Sequence, residues 1–295
     1  MGTLIAERVE ELRRDTVHGA GWMAERAVDT LVEEAAGGAA DADELLERLR
    51  EAGIRLAASR PAAGAVAGAV GRVLAAATGQ RHLSADELSQ LVAEEARALC
   101  EGRHRAGRSI AIHLAPRLTE ASVVTHSASA TVREALVHTP PAHVTCTVSR
   151  PREEGRRFAE VLREAGLDVD LVEDEEAGSA LESADLLLLG ADTVFRDGTL
   201  CNKVGTNDLA QAASRRGVPT VVAAEVLKLA PSESREAHEL SEEGTRDFTP
   251  PELIGEIVTE EGVFRPEEVA ALIDRTPFLR EGYELLHAGA TPPTR

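Results

Sequence analysis

From residue 3 to about residue 118 the apolar positions recur at helical spacing. Ile5, Val9 and Leu12 form one stripe, Leu45, Leu46 and Leu49 a second, and Leu88, Leu91, Val92 and Leu99 a third. Breaks near Gly19-Ala20-Gly21, Gly37-Gly38 and Gly64 divide the run into separate helices. Asp41 or Asp43 can cap the helix that follows it. Ser84 with Glu87 three residues on forms a capping box for a helix starting at Ala85. From Ala121 the pattern changes. Short β-rich runs at 122–125, 144–146, 168–172, 185–190 and 219–223 alternate with helical segments at 128–137, 153–165, 207–216 and 251–258. Strands alternating with helices predict a mostly parallel sheet. The expected fold is therefore α/β: an N-terminal helical domain, residues 1–118, followed by a Rossmann-like domain, residues 119–295. The last twenty residues are polar and end in Thr291-Pro292-Pro293-Thr294-Arg295, which predicts a frayed tail.

Composition narrows this picture. The 295 residues are 43% hydrophobic but only 2% aromatic, so alanine, valine and leucine must fill the core. The net charge of −19 disfavours nonspecific binding to nucleic acid or to anionic membrane, but a local cationic cluster can still hold an anionic substrate. The surplus of acids with only two lysines, Lys203 and Lys228, resembles the proteins of salt-loving microbes. Cys100, Cys146 and Cys201 are odd in number and lack metal-ligand spacing, which predicts no disulfide framework and a reducing, cytoplasmic setting. The N-terminal segment reads as a charged amphipathic helix rather than a signal peptide, and no apolar run reaches membrane-spanning length.

Candidate chemistry concentrates at predicted strand ends, where open α/β sheets bind ligands. Thr125-His126-Ser127 precedes a helix whose first residues are small. This suits an anion at the helix N-terminus or, more plainly, an N-cap by Ser127. Cys146 ends the next strand, either as a tuned thiolate or as a small buried apolar residue. Arg150 beyond it offers a planar fork for phosphate, or is an ordinary solvated arginine. Asp192 follows the strand that ends at Gly190, as an acid–base group or as a turn cap. A polar hairpin with Asp197-Gly198 at its tip leads to Asn202-Lys203-Val204-Gly205-Thr206. Glu225 and Lys228 follow the last apolar strand, so both lysines of the chain fall at one predicted edge. Dinucleotide, P-loop, zincin and serine-hydrolase signatures are absent, and the nine histidines show no metal spacing.

Taken in order, these motifs resemble the family of translation initiation factor 2B alpha, beta and delta subunits and their sugar-phosphate isomerase relatives. The resemblance runs from Val17-His18-Gly19-Ala20-Gly21 through Ser59-Arg60-Pro61, Thr125-His126-Ser127, 146–151, Gly190-Ala191-Asp192, 202–206 and Ala224-Glu225 with Lys228 to 247–254. It implies an aldose–ketose isomerase of ribose 1,5-bisphosphate, with Cys146 and Asp192 catalytic and no metal or redox cofactor. It also implies a nucleotide monophosphate activator and a homodimer or hexamer. The substrate-binding set it implies is His18, Gly19, Ala20, Gly21, Arg60, Val148, Ser149, Arg150, Asn202, Lys203 and Lys228. A non-catalytic regulatory or nucleotide-binding protein and a methylthioribose-1-phosphate-type isomerase are the alternatives within the same resemblance. Three places depart from the family pattern: His18 stands for an arginine, Val148 for a glutamate, and 242–246 lacks an asparagine-proline turn.

Overall fold

The computed structural model describes residues 2–234 and 244–287. The chain divides into two compact units, one of residues 1–102 with 273–295 and one of residues 103–272. The division falls at 102/103, inside the helix of residues 85–118, rather than at 118/119, and the C-terminal segment from residue 273 belongs with the helical unit.

The helical unit contains α1 (Gly2–Arg14), α2 (Ala20–Ala36), α3 (Ala42–Ala57), α4 (Gly64–Thr78) and the first half of α5 (Ala85–Leu118). The glycine breaks fall between or at the ends of these helices. Asp41, not Asp43, caps α3, accepting from Glu44 N at 2.9 Å. The Ser84–Glu87 capping box forms in both directions. Leu12, Leu31, Leu45, Leu49 and Leu56 are fully buried, so the predicted stripes become this unit's core. Residues 277–287, expected to fray, instead form a helix, Pro277–His287. Its Leu279, Gly282 and Leu286 make an apolar seam against α4. A Cβ on Gly71 would lie 2.9 Å from the Gly282 Cα, so glycine is what allows these two helices to touch. Residues 288–295, which carry the expected tail, lie outside the described residues, as do Glu242 and Glu243.

The second unit is built on a seven-stranded sheet. Its parallel strands are β1 (Ser122–His126), β2 (His143–Thr147), β3 (Val169–Val172), β4 (Leu186–Leu189), β7 (Thr220–Ala223) and β10 (Glu256–Thr259). Antiparallel β11 (Gly262–Phe264) closes one edge, and the order is β11-β10-β7-β4-β1-β2-β3. Leu186–Leu189 is buried on both faces, which is why this run carries no polar alternation. On one face Val123, Val144, Cys146, Leu188 and Val221 pack with Ile110 and Leu114 of α5. Leu136 of α6 (Ala130–His138) and Phe158 and Leu162 of α7 (Glu154–Glu164) complete this core. The helix expected at 251–258 is not formed. Pro251–Leu253 makes one 3-10 turn, and the chain then enters β10, whose Ile257 and Val258 are buried between strands. Pro250 and Pro251 open a single turn, and pairing with β7 then takes residues 256–259 as a strand. A smaller sheet, β8-β5-β6-β9, holds the predicted hairpin of β5 (Thr193–Phe195) and β6 (Leu200–Lys203), flanked by β8 (Leu229–Ala230) and β9 (Arg246–Thr249). Gly198 at its tip has φ +82°, the left-handed geometry that the Asp-Gly pair predicts. No helix among the described residues is long and apolar enough to cross a membrane.

Candidate functional site at the switch point of the sheet

The chain leaves β1 toward β2 and β3, then crosses to β4, β7 and β10 on the other side. Strand order therefore reverses between β1 and β4, and the crevice at their carboxyl ends is where this architecture takes ligands. His126-Ser127, Thr147 to Arg150 and Gly190 to Asp192 all end strands there. Ser127, Ser149 and Glu153 have φ of 68°, 67° and 55°. Left-handed geometry at non-glycine residues is sparsely populated and tends to gather at functional sites. Here three of the four non-glycine instances among the described residues fall on two adjacent strand ends.

A buried hydrogen-bond chain fixes this geometry. His126 Nε2 lies 2.9 Å from the Val204 carbonyl, which can only accept, so this nitrogen carries the proton. Nδ1 then accepts from Thr147 Oγ1 at 2.6 Å, Thr147 accepts from Ser149 Oγ at 2.8 Å, and Ser149 Oγ accepts from Ser127 N at 2.7 Å. The neutral ring agrees with its surroundings, since burial pushes the His126 pKa down despite the Val204 bond and nearby Asp174 and Glu154. Ser127 Oγ donates to Glu154 Oε1 at 2.9 Å, and Lys203 Nζ donates to the other oxygen of that carboxylate, also at 2.9 Å. Lys203 is 2% exposed, so its ammonium sits inside the protein with a carboxylate partner.

The root of the small hairpin gathers a second set. Asp192 N donates to Cys201 O, and its carboxylate forms an ion pair with Arg246. Asn202 pairs across the sheet with Asp247, and Lys203 with Arg246. Thus Asp192, Asn202, Lys203, Arg246 and Asp247 occupy one hairpin root. Asn202 is buried and donates to Thr206 Oγ1 at 3.1 Å. Asp247 accepts from Gly205 N and Asn207 N at the start of α8 (Thr206–Arg216), while its other oxygen is buried without a partner. Burial pushes its pKa up to about 6 even though these two N–H bonds pull the other way. Lys228 and Glu225 are both 6% exposed. Glu225 accepts from Arg103 at 3.0 Å and from Thr131 at 3.3 Å. Burial alone would raise the Glu225 pKa, but Lys228 and Arg103 outweigh it and hold it low.

Three expectations need correction. Cys146 does not face Asp192. Alternation along β2 turns its side chain into the apolar core with Val144, Leu136 and Phe158. Burial pushes this thiol up to about 12, with Arg163 only partly opposing. In this structure its thiol is a buried core group with little tendency to ionise. Val148 is fully buried, with its N–H bonded to Val172 O, and contacts no open space. Ser149 is also fully buried. Its hydroxyl belongs to the His126 chain and its N–H donates to Asp174 at 2.6 Å, so it shapes the turn from within. Arg150 is exposed and paired with Glu173 at 2.5 Å.

In the helical unit, His18, Gly19, Ala20 and Gly21 form the turn into α2 and its first residues, with Gly19 at the N-cap. Arg60 is 6% exposed, and its guanidinium donates to the carbonyls of Leu12 (2.7 Å) and Asp15. It anchors this turn from below.

The motif reading gave no individual role to Thr147, Glu154, Asp174, Arg246 or Asp247. Their signal was positional: a polar residue directly after an apolar strand, or opposite Asn202-Lys203 in a hairpin register. Beside them lies a cleft of about 360 Å³, lined by His126, Thr147, Asp174, Glu175, Asp208 and Leu209 among others. Among the described residues no group of three or more His, Cys, Asp or Glu side chains is arranged to hold a metal.

The chain is similar to known proteins over most of its length. The chain is 32% identical over 285 residues to a ribose 1,5-bisphosphate isomerase of Haloferax volcanii, covering 87% of each chain. It is 29% identical over 261 residues to a methylthioribose-1-phosphate isomerase of Herpetosiphon aurantiacus, covering 75% of this chain and 74% of the relative. The translation initiation factor eIF-2B of Pyrococcus horikoshii superposes with a TM-score of 0.77 at 24% identity, covering 89% of this chain and 97% of that one. The 5-methylthioribose 1-phosphate isomerase of the same organism gives a TM-score of 0.70 at 22% identity, covering 96% and 88%. These two superpositions establish the fold, a helical N-terminal part followed by a mostly parallel sheet. The Initiation factor 2 subunit family matches residues 16–266, and the chain belongs to that family.

Proposed function

We propose that this protein is a sugar-phosphate aldose–ketose isomerase that converts ribose 1,5-bisphosphate to ribulose 1,5-bisphosphate. The observation that carries the reading is the hairpin root, where a carboxylate, a buried amide and a buried ammonium stand together at the switch point. The curated relatives named as ribose 1,5-bisphosphate isomerases, one of them from Haloferax volcanii, support the substrate. Isomerisation opens the ring with a proton delivered to its oxygen. It then moves hydrogen from C2 to C1 while the C2 hydroxyl becomes a carbonyl, and the proton that hydroxyl loses balances the one delivered to the ring oxygen. With Cys146 in the core, Asp192 is the group left to take the C2 proton and return it at C1. Arg246, its ion-pair partner, fixes where that carboxylate points. Asn202 and Lys203 are the donors for substrate oxygens on this root, and Lys228 and the exposed Arg150 are proposed phosphate contacts. General acid–base help of this kind is worth about 10²–10⁴-fold.

The core placement of Cys146 favours one second reading, a non-catalytic regulatory subunit. The two separate on a substrate panel. The isomerase reading expects turnover of ribose 1,5-bisphosphate well above that of methylthioribose 1-phosphate, with a nucleotide monophosphate raising the rate. Absence of turnover on either sugar, with or without AMP or GMP in molar salt, would leave the regulatory reading.

A further inference from the structure

Lys203 ends β6 inside the sheet unit, with 2% of its surface exposed. A buried ammonium needs a partner, and α7 of the same unit brings one. Both oxygens of the Glu154 carboxylate lie 2.9 Å from Lys203 Nζ. Ser127 Oγ, just past β1, donates to Oε1 of that carboxylate, also at 2.9 Å. The backbone under Glu154 is fixed as well. A Cβ on Gly155 would lie 1.8 Å from the Thr147 carbonyl oxygen, so only glycine lets α7 start against the end of β2. Gly155 N also donates to Val148 O at 3.1 Å. Glu154 therefore ties β1, β6 and α7 together at the carboxyl edge of the sheet, and the reaction scheme gives it no part.

The charges at this root come in pairs. Lys203 faces Glu154, and Arg246, its cross-strand neighbour, faces Asp192. The Glu154 side chain is 28% exposed against 3% for Lys203. An anion approaching Nζ from solvent meets a carboxylate of like charge first, which is costly. To reach Nζ, a phosphate has to displace that carboxylate from both the ammonium and Ser127. An uncharged hydroxyl or carbonyl oxygen meets no such repulsion. The ammonium has three N–H groups, and two carboxylate oxygens leave a third for it. We propose that Glu154 is a positioning residue that makes Lys203 a donor to an uncharged oxygen of the sugar and bars a phosphate group from it. The ammonium then polarises that oxygen instead of anchoring a phosphate. This role rests on the reading of the protein as a sugar-phosphate isomerase, and it assigns the hairpin root to the sugar part of the substrate.

The test titrates inorganic phosphate into the full-length protein by calorimetry and runs steady-state kinetics beside it. Lys203→Met should leave the phosphate affinity of the wild type within about twofold. Glu154→Gln keeps the size but removes the opposing charge, and it should tighten phosphate binding about tenfold. Adding Lys203→Met to Glu154→Gln should cancel that gain, which places the gain at Nζ. In kinetics, Glu154→Gln should lower kcat for ribose 1,5-bisphosphate about tenfold and make inorganic phosphate a stronger inhibitor. Glu154→Asp, which keeps the charge, should recover most of kcat and none of the phosphate gain. Glu154→Gln that melts earlier but leaves phosphate affinity and kcat unmoved would reduce Glu154 to a structural partner and overturn the proposal. So would a wild-type phosphate affinity that Lys203→Met weakens about tenfold, since Lys203 would then be a phosphate anchor. If Lys203→Met does not fold, the phosphate affinity of Glu154→Gln decides alone. If the wild type has no turnover, the isomerase reading fails, and the phosphate titrations decide the role of Glu154 by themselves.

Discussion

Replacing Cys146 by alanine separates the geometry from the motif. The thiol sits in the core between Val144, Leu136 and Phe158, with 1% of its surface exposed. With its pKa pushed up to about 12, roughly one thiol in 10⁴ would be ionised at pH 8, too few for a working base. Removing the sulfur deletes one small buried group and leaves a void smaller than a methylene or two. The expected cost in stability is about 1 kcal/mol. The expected change in turnover is less than about threefold, far below the ~10²-fold or more that loss of an acid–base group brings. Urea unfolding measures the first quantity, and initial rates on ribose 1,5-bisphosphate measure the second. A maleimide probe should label Cys146 only after unfolding. The reasoning is refuted if Cys146→Ala keeps its unfolding midpoint yet loses turnover by ~10²-fold, or if the native thiol reacts as fast as a free cysteine.

Other outcomes follow from the same geometry. Lys203→Met should leave Glu154 without its ammonium partner and cost about 1.5–3 kcal/mol of stability, because the Glu154 side chain is 28% exposed and partly solvated. Glu154→Gln added to Lys203→Met should return part of that loss in a double-mutant cycle. Asp247 has a folded-state pKa near 6 against an ordinary value of 3.8. Its contribution to stability is therefore full below about pH 4 and lost as pH rises through about 6. Asp247→Asn should flatten that stretch of the stability–pH curve, and an unchanged slope would remove Asp247 as its cause. Gly155→Ala should be strongly destabilising, since its Cβ would strike the Thr147 carbonyl. Gly107→Ala should be mild, since its Cβ meets only the flexible end of Glu134. Thermal melts of the two variants measured side by side check this contrast.

Much of the fold was legible because burial on both faces leaves an unmistakable record. The run Leu186–Leu189 and the alanine-rich α4 could be little else. The segments that misled are those where local sequence and tertiary context disagree. Glu256–Thr259 is short and follows a proline turn, and only the vacant edge beside β7 makes it a strand. Pro277–His287 looks polar in sequence, yet one apolar seam with a glycine suffices to dock it on α4. At the hairpin root, Asp192 stood out because it follows an apolar strand, and Asn202 and Lys203 because they are polar residues ending the short strand of a predicted hairpin. Cys146 was misread for the same reason. A residue at a strand's last turn faces either the ligand crevice or the helix layer, and the phase of alternation, not the residue type, decides which. Arg246, which holds Asp192, could not be seen because it arrives from a strand more than fifty residues later.

The central claim is that Asp192, at the hairpin root with Asn202 and Lys203, carries proton transfer in an aldose–ketose isomerisation. The most direct measurement is formation of ribulose 1,5-bisphosphate from ribose 1,5-bisphosphate by wild type and by Asp192→Asn, with substrate affinity measured for both. The account predicts turnover by the wild type and a loss of at least ~10²-fold in the variant, with affinity changed much less. Wild-type protein that binds the sugar bisphosphate without converting it, or an Asp192→Asn variant that turns over at the wild-type rate, would contradict it.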